Sequence, residues 1–251
     1  MAALPKLREP VPLEAKGRSL SPAVPVLMYH RIGRAPKNTI VPGHYVGPAT
    51  LKNHLRLLQW MGYDFVDAEQ ALESPRGAML TFDDAYLSVF ELALPHLLAQ
   101  KARATTFVVT DLIGKTSEWD VRKGDCPEPL MTAEHLKTWI AHGLAVGCHS
   151  ATHPMLASLG EDQLEREIVQ SRQQLFHSTG VLTDTFCYPY GNEDLRVRAA
   201  VQRAGYRFGF ATTKGPWTSK TDPYQIPRIN CRRDTWTPIL LLKLRRIQSS
   251  G

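Results

Sequence analysis

Several signatures are missing from this sequence of 251 residues. No glycine-rich phosphate loop follows an apolar run, which speaks against a nucleotide-binding open sheet. The four cysteines, Cys126, Cys148, Cys187 and Cys231, form no CxxC pair. Their spread suits buried small side chains rather than a zinc knuckle or a disulfide framework. No apolar run approaches the ~18 residues of a membrane-spanning helix, so no transmembrane segment is expected. Residues 1–24 are rich in proline and charge and hold no apolar signal-peptide core. A cytoplasmic location is therefore the expectation, with a periplasmic or extracellular one if a leader had been removed. Linkers, charge blocks, low-complexity tracts and solenoid-period repeats are absent too. One domain is expected over residues 23–251, preceded by an irregular arm over residues 1–22.

What is present fits a packed α/β chain. Hydrophobic residues make up 43% of the sequence, enough for a sizeable core, and the formal charge is +6. The basic residues are scattered, with only Lys243-Leu244-Arg245-Arg246 close together. They read as a solvated surface, and no nucleic-acid partner is expected. Period and punctuation predict strands over 25–30, 78–82, 104–110, 144–148, 185–188 and 208–212. Helices are predicted over 48–60, 86–100, 131–142, 161–178, 193–203 and 237–247, with Thr132 as an N-cap and Gly62, Gly180 and Gly205 as stops. This alternation implies parallel βαβ units with right-handed crossovers. The chemically loaded residues His30, Asp83, Asp84, His149, Pro189 and Tyr190 all fall just after predicted strands, where a barrel of such units carries its active site. The expected fold is α/β, an incomplete or distorted (β/α) barrel.

Leu80-Thr81-Phe82-Asp83-Asp84 ends an apolar stretch on two adjacent carboxylates, and His149-Ser150-Ala151-Thr152-His153 lies downstream. One aspartate and two histidines make three ligands for a metal with coordination positions left open, and the second aspartate is then free to act as a base. That points to a metal-assisted hydrolase. Neighbours on a strand face opposite ways, so both aspartates reach one site only where the strand ends and the chain turns. A helix-capping pair is the plainer alternative. The HxxxH spacing puts two imidazoles on one side of a turn, and Pro154 moves His153 out of a regular helix. Residues 186–191 offer aromatic side chains for a sugar groove, with Pro189 and Tyr190 as substrate contacts and the Tyr190 backbone N–H as an oxyanion donor. Trp119 and Asp120 read as a groove wall with an acid, or as a loop packed on the core.

With these residues assembled, the chain resembles the polysaccharide deacetylases, the nodulation-type homology domain of carbohydrate esterase family four. The resemblance runs from about residue 25 to about residue 244. It rests on Thr81-Phe82-Asp83-Asp84, on His149 to His153, and more loosely on Cys187-Tyr188-Pro189-Tyr190, which lies within the subgroup form FxYPYG spelled by residues 186–191. The resemblance implies a catalytic domain built as a distorted barrel of about seven strands. It also implies removal of N-acetyl groups from the sugars of a polysaccharide, an oligosaccharide or a glycan precursor. Asp84, His149 and His153 would hold the metal and Asp83 would be the base. Two departures stand out. Cys187 occupies the place of an arginine that orients the catalytic aspartate; Arg228, in Ile226-Pro227-Arg228-Ile229, is the candidate to supply that charge, a surface arginine being the alternative. The late Leu-x-His motif is absent, since no histidine follows His177. His30 is the candidate general acid, as an imidazolium, in the manner of members whose motif lies N-terminally; a core histidine is the alternative.

The cofactor expected is a divalent metal, zinc first, with cobalt, nickel and iron fitting the same mixed donors. The partner expected is an N-acetylated glycan. Two other functions stay open: a cyclic amide or ureide hydrolase on the same barrel, and a catalytically silent carbohydrate-binding domain. Nothing in the sequence indicates an oligomeric state.

Overall fold

The computed structural model describes residues 23–248, so the arm expected over 1–22 lies outside the described residues. Among the described residues no helix is long and apolar enough to cross a membrane. The strands are β1 (Val26–Tyr29), β2 (Arg31–Ile32), β3 (Tyr45–Val46), β4 (Asp64–Phe65), β5 (Gly77–Phe82), β6 (Thr105–Val108), β7 (Ala145–Cys148), β8 (Thr185–Cys187), β9 (Phe208–Phe210) and β10 (Ile229–Asn230). Seven of them form one curled parallel sheet in the order β10-β1-β5-β6-β7-β8-β9, with β4 added beside β5, while β2 and β3 pair separately. Residues 226–230 join the edges: Ile226 bridges to Phe210 on β9, and Ile229 pairs with Leu27 on β1. The result is the expected distorted barrel.

Strand alternation explains what each face does. Val26, Met79, Phe107, Cys187, Phe210 and Ile226 pack together inside the curl. Leu27, Tyr29, Leu80, Phe82, Val146 and Phe186 face the surrounding helices. Steps of two residues from Met28, Thr81 and Gly147 lead to His30, Asp83 and His149, so one period aims all three at the mouth of the curl.

The helices are α1 (Pro48–Trp60), α2 (Leu87–Leu92), α3 (Leu94–Ala99), α4 (Glu118–Val121), α5 (Ala133–Ala141), α6 (Glu161–Glu165), α7 (Ser171–Thr179), α8 (Leu195–Arg203) and α9 (Thr237–Gln248). In α1 the apolar stripe Leu51, Leu55 and Leu58 is fully buried, each side chain stabilising the fold by about 1.5–3 kcal/mol. Thr132 caps α5 in a reciprocal box with His135.

Two predicted helices differ from expectation. The helix over 86–100 is two, broken between α2 and α3, because Pro95 has no N–H to return to the carbonyl of Glu91. The run over 161–178 is interrupted by a π-helical turn, Arg166–Gln170, between α6 and α7. A glycine in β7 makes the interior fit: a Cβ at Gly147 would lie 2.5 Å from Phe107 Cδ1 and closer still to Thr185 Oγ1. Gly147→Ala is therefore expected to cost about 1–3 kcal/mol by overpacking, read as a lower urea midpoint with an unchanged slope; an unchanged midpoint would mean that the interior yields.

Candidate metal centre

The two aspartates reach one site through a left-handed turn. Asp83 N–H still donates to Tyr29 O at 2.9 Å, continuing the ladder, and then Asp84 and Ala85 take φ of 74° and 52°. Ser150 and His153 have φ of 64° and 63°, and Tyr190 has 59°. Non-glycine residues adopt this region at a cost of order 1–3 kcal/mol, and such strain concentrates at functional sites. The histidine pair lies on a loop, with Ser150 Oγ accepting from His153 N–H at 2.9 Å.

Asp84 Oδ1 lies 3.3 Å from His149 Nε2 and 3.2 Å from His153 Nε2. All three residues are buried, and their donor atoms lie within 4.8 Å of one another. His149 Nδ1 sits 2.7 Å from the carbonyl of Cys187. A carbonyl only accepts, so this nitrogen carries the hydrogen, and Nε2 of the neutral ring turns a lone pair towards Asp84. Asp84 Oδ1 is itself buried with no hydrogen-bond partner among the described residues. Bare acceptors facing one another require a cation between them. Where no metal sits there, a proton takes that place. Burial alone would raise the Asp84 carboxyl, but His149 and His153 bring it well below the usual carboxylate range. At His149 burial is outweighed by Cys187 and Asp84, which hold the imidazole well above its ordinary value, whereas burial pushes His153 down. The residues fit a divalent metal with one carboxylate and two imidazole ligands.

Asp83, His149 and Cys187 also come together, but a fixed cation already fills that corner. Arg228, fully buried, donates from Nη1 to Asp83 Oδ1 at 2.7 Å and from Nη2 to Oδ2 at 2.9 Å. Nη2 also lies 3.1 Å from Cys187 Sγ, and Nε donates to Ala211 O at 2.8 Å. The guanidinium thus reaches Asp83 from the segment just before β10 and is not a surface arginine. Burial would raise the Asp83 carboxyl; Arg228, with a smaller share from His30, more than offsets this and keeps it below its ordinary value.

His30 Nε2 is 3.9 Å from Asp83 Oδ2, and its side chain is 17% exposed. Its ring stacks on His44, with centroids 4.4 Å apart. Burial pushes the imidazole down to about 3, and the partly offsetting pull of Asp83 does not restore it. Burial thus works against the imidazolium, and Asp83 works for it.

These groups open on a cavity of about 330 Å³ lined also by Trp119, Lys123 and Tyr190. The proposed substrate contacts fare unequally. Tyr190 is 38% exposed, but Lys123 Nζ sits 3.5 Å from its ring centroid and covers that face. Trp119 lines the cavity but is largely buried and stacked on His153 at 4.5 Å, so it also supports a ligand ring. Asp120 is not a free acid: it accepts from Arg31 and, at 2.9 Å, from Tyr86 Oη. Pro189 is buried inside its turn and does not line the cavity. Sequence reasoning missed His44, Lys123 and Arg31. Their one signal is position, Arg31 directly following His30 and the other two lying on connections between site-bearing strands.

Residues 72–209 match the family described as polysaccharide deacetylase, more than half of the chain. The chain belongs to the polysaccharide deacetylase family. YxkH of Bacillus subtilis is 24% identical over 222 residues, covering 82% of this chain and 70% of YxkH. A poly-beta-1,6-N-acetyl-D-glucosamine N-deacetylase of Staphylococcus aureus is 23% identical over 175 residues, covering 66% of this chain and 58% of that protein. The chain thus spans little more than half the length of that relative. The solved structure of the Streptococcus pyogenes deacetylase PplD in complex with acetate shares the fold, with a TM-score of 0.76 at 23% identity over 89% of this chain and 98% of PplD.

Removing the Arg228 charge leaves Asp83 buried and unpaired. Arg228→Leu is expected to lose about 3–5 kcal/mol at neutral pH, and Arg228→Leu with Asp83→Asn to recover most of it. Denaturant unfolding of the two variants checks this; equal stabilities would mean that the pair is not coupled.

Proposed function

We propose that this chain is a metal-dependent carbohydrate N-deacetylase, which hydrolyses N-acetyl groups from N-acetylglucosamine-type sugars of a polymer or oligosaccharide. The observation that carries the reading is Asp83. It is an ionised carboxylate outside the ligand set, held by Arg228 beside the Asp84, His149 and His153 cluster. A pure binding site has no use for such a group. The family and the name of the Staphylococcus aureus relative support the substrate class.

A divalent ion held by Asp84, His149 and His153 supplies Lewis acidity towards the acetyl carbonyl and an incoming water. Zinc is the metal proposed, because one carboxylate and two imidazoles suit it; cobalt, nickel and iron fit the same donors. Asp83 takes the proton of the attacking water, and Arg228 keeps it ionised and oriented for that task. The Tyr190 backbone N–H is assigned to the carbonyl oxygen as negative charge develops there. His30, with Nε2 3.9 Å from Asp83 Oδ2, is assigned as the general acid that gives a proton to the leaving sugar nitrogen, with the proton held by Asp83 returning to it through one water. The products are acetate and the free amine.

The test is acetate release from N-acetylglucosamine oligomers by protein stripped with chelator and reloaded with zinc or cobalt. Asp83→Asn is expected to lower kcat about 10²–10⁴-fold with metal still bound, and Asp84→Ala to lose both metal and acetate. Near wild-type turnover in Asp83→Asn would remove it as the base. Metal-loaded protein that releases no acetate would favour the cyclic-amide hydrolase or the silent binder. For His30→Ala, kcat is expected to fall by about 10²-fold with metal affinity unchanged; an unchanged rate would take His30 out of the proton path.

A further inference from the structure

The loop that carries both histidine ligands is held from behind by one carboxylate. Glu167 is 7% exposed and makes three hydrogen bonds to this loop. Its Oε2 accepts from Ala151 N–H and Thr152 N–H, each at 2.9 Å, and its Oε1 accepts from Thr152 Oγ1 at 2.7 Å. These two residues lie between Ser150 and His153, both in the left-handed region. Without Glu167 two backbone N–H groups lose their partner, and the two strained residues lose what holds them in place.

Glu167 reaches the loop from the π-helical turn Arg166–Gln170. Such turns are rare and are frequent at functional sites. This one is braced: the Ile168 carbonyl accepts from Ser171 Oγ at 2.9 Å and from Tyr206 Oη at 3.1 Å. One helical turn further on, Gln174 accepts from Thr110 Oγ1 and donates to Asp111 Oδ1, each at 2.6 Å, and so grips the rim after β6. The widened helix thus reaches two neighbouring rim segments.

We propose that Glu167 is a positioning residue that fixes the ligand loop in its metal-binding shape before the metal arrives. This rests on the metal-dependent reading above, and its test separates the two. Hydrogen exchange in the metal-free protein reads the loop directly. Glu167→Ala is expected to raise exchange at Ala151 and Thr152 at least ~10-fold, without raising it in β5 and β6, and to weaken zinc affinity about 10–100-fold in chelator competition. Glu167→Gln keeps an acceptor for the two N–H groups and is expected to stay within about threefold of the unmutated protein. If Glu167→Ala does not fold, Glu167→Met keeps the volume, loses the acceptors and carries the same expectation. Unchanged exchange and zinc affinity in a folded Glu167→Ala or Glu167→Met protein overturn the proposal. So does a loss of equal size in Glu167→Gln accompanied by a matching fall in Tm, which would mark a general stability effect. If the unmutated protein binds no zinc, the metal-dependent reading fails, while loop exchange still decides the role of Glu167.

Discussion

The buried pair of Arg228 and Asp83 is the constraint around which the rest is arranged. A guanidinium and a carboxylate out of water are costly unless their geometry is good and their remaining hydrogen bonds are met. Here the pairing is two-pronged, and the leftover donors find Ala211 O, Thr81 Oγ1 and Cys187 Sγ. Arg228 sits on the segment that joins the sheet's two edges, and Asp83 ends β5 near the sheet's middle. A single interaction thus closes the curl and sets the protonation state of the reacting group.

Two adjacent carboxylates acquire different work because their partners differ. Asp83 faces a permanent cation that leaves both oxygens ionised and fixed. Asp84 faces two imidazoles whose own lone pairs need filling. Environments that divide neighbouring titratable groups in this way are how one site runs acid and base steps together. The left-handed turn at Asp84 and Ala85 allows the division, since a straight strand would send one carboxylate into the outer helical layer.

The parts legible in the sequence were those whose meaning is local. Asp83, Asp84, His149 and His153 follow apolar strands within a few residues, and α1 matches its predicted limits because its leucine stripe and flanking glycines agree. Arg228 was legible only indirectly, as a charge the site needed once Cys187 stood where an arginine was expected. Trp119 and Asp120 do line the cavity, but their burial and partners were not legible, because an aromatic beside an acid reads the same whether it is open or packed. Their partners are distant in sequence: Arg31 and Asp120 are 89 residues apart. Glu167 looked like the polar side of an amphipathic helix, since nothing local marks the turn that swings it inward. The break before Pro95 was readable, but the helical periodicity on both sides outweighed it.

The contact between Arg228 and Cys187 limits what position 187 can hold. Arg228 already supplies the positive charge beside Asp83, so positions 187 and 228 are coupled through one carboxylate. Restoring arginine at position 187 would set two guanidinium groups against one carboxylate in a pocket already filled by Arg228. Arginine at position 187 is therefore expected to destabilise this chain unless Arg228 is changed with it. A substitution at either position therefore has a meaning only when the other is specified.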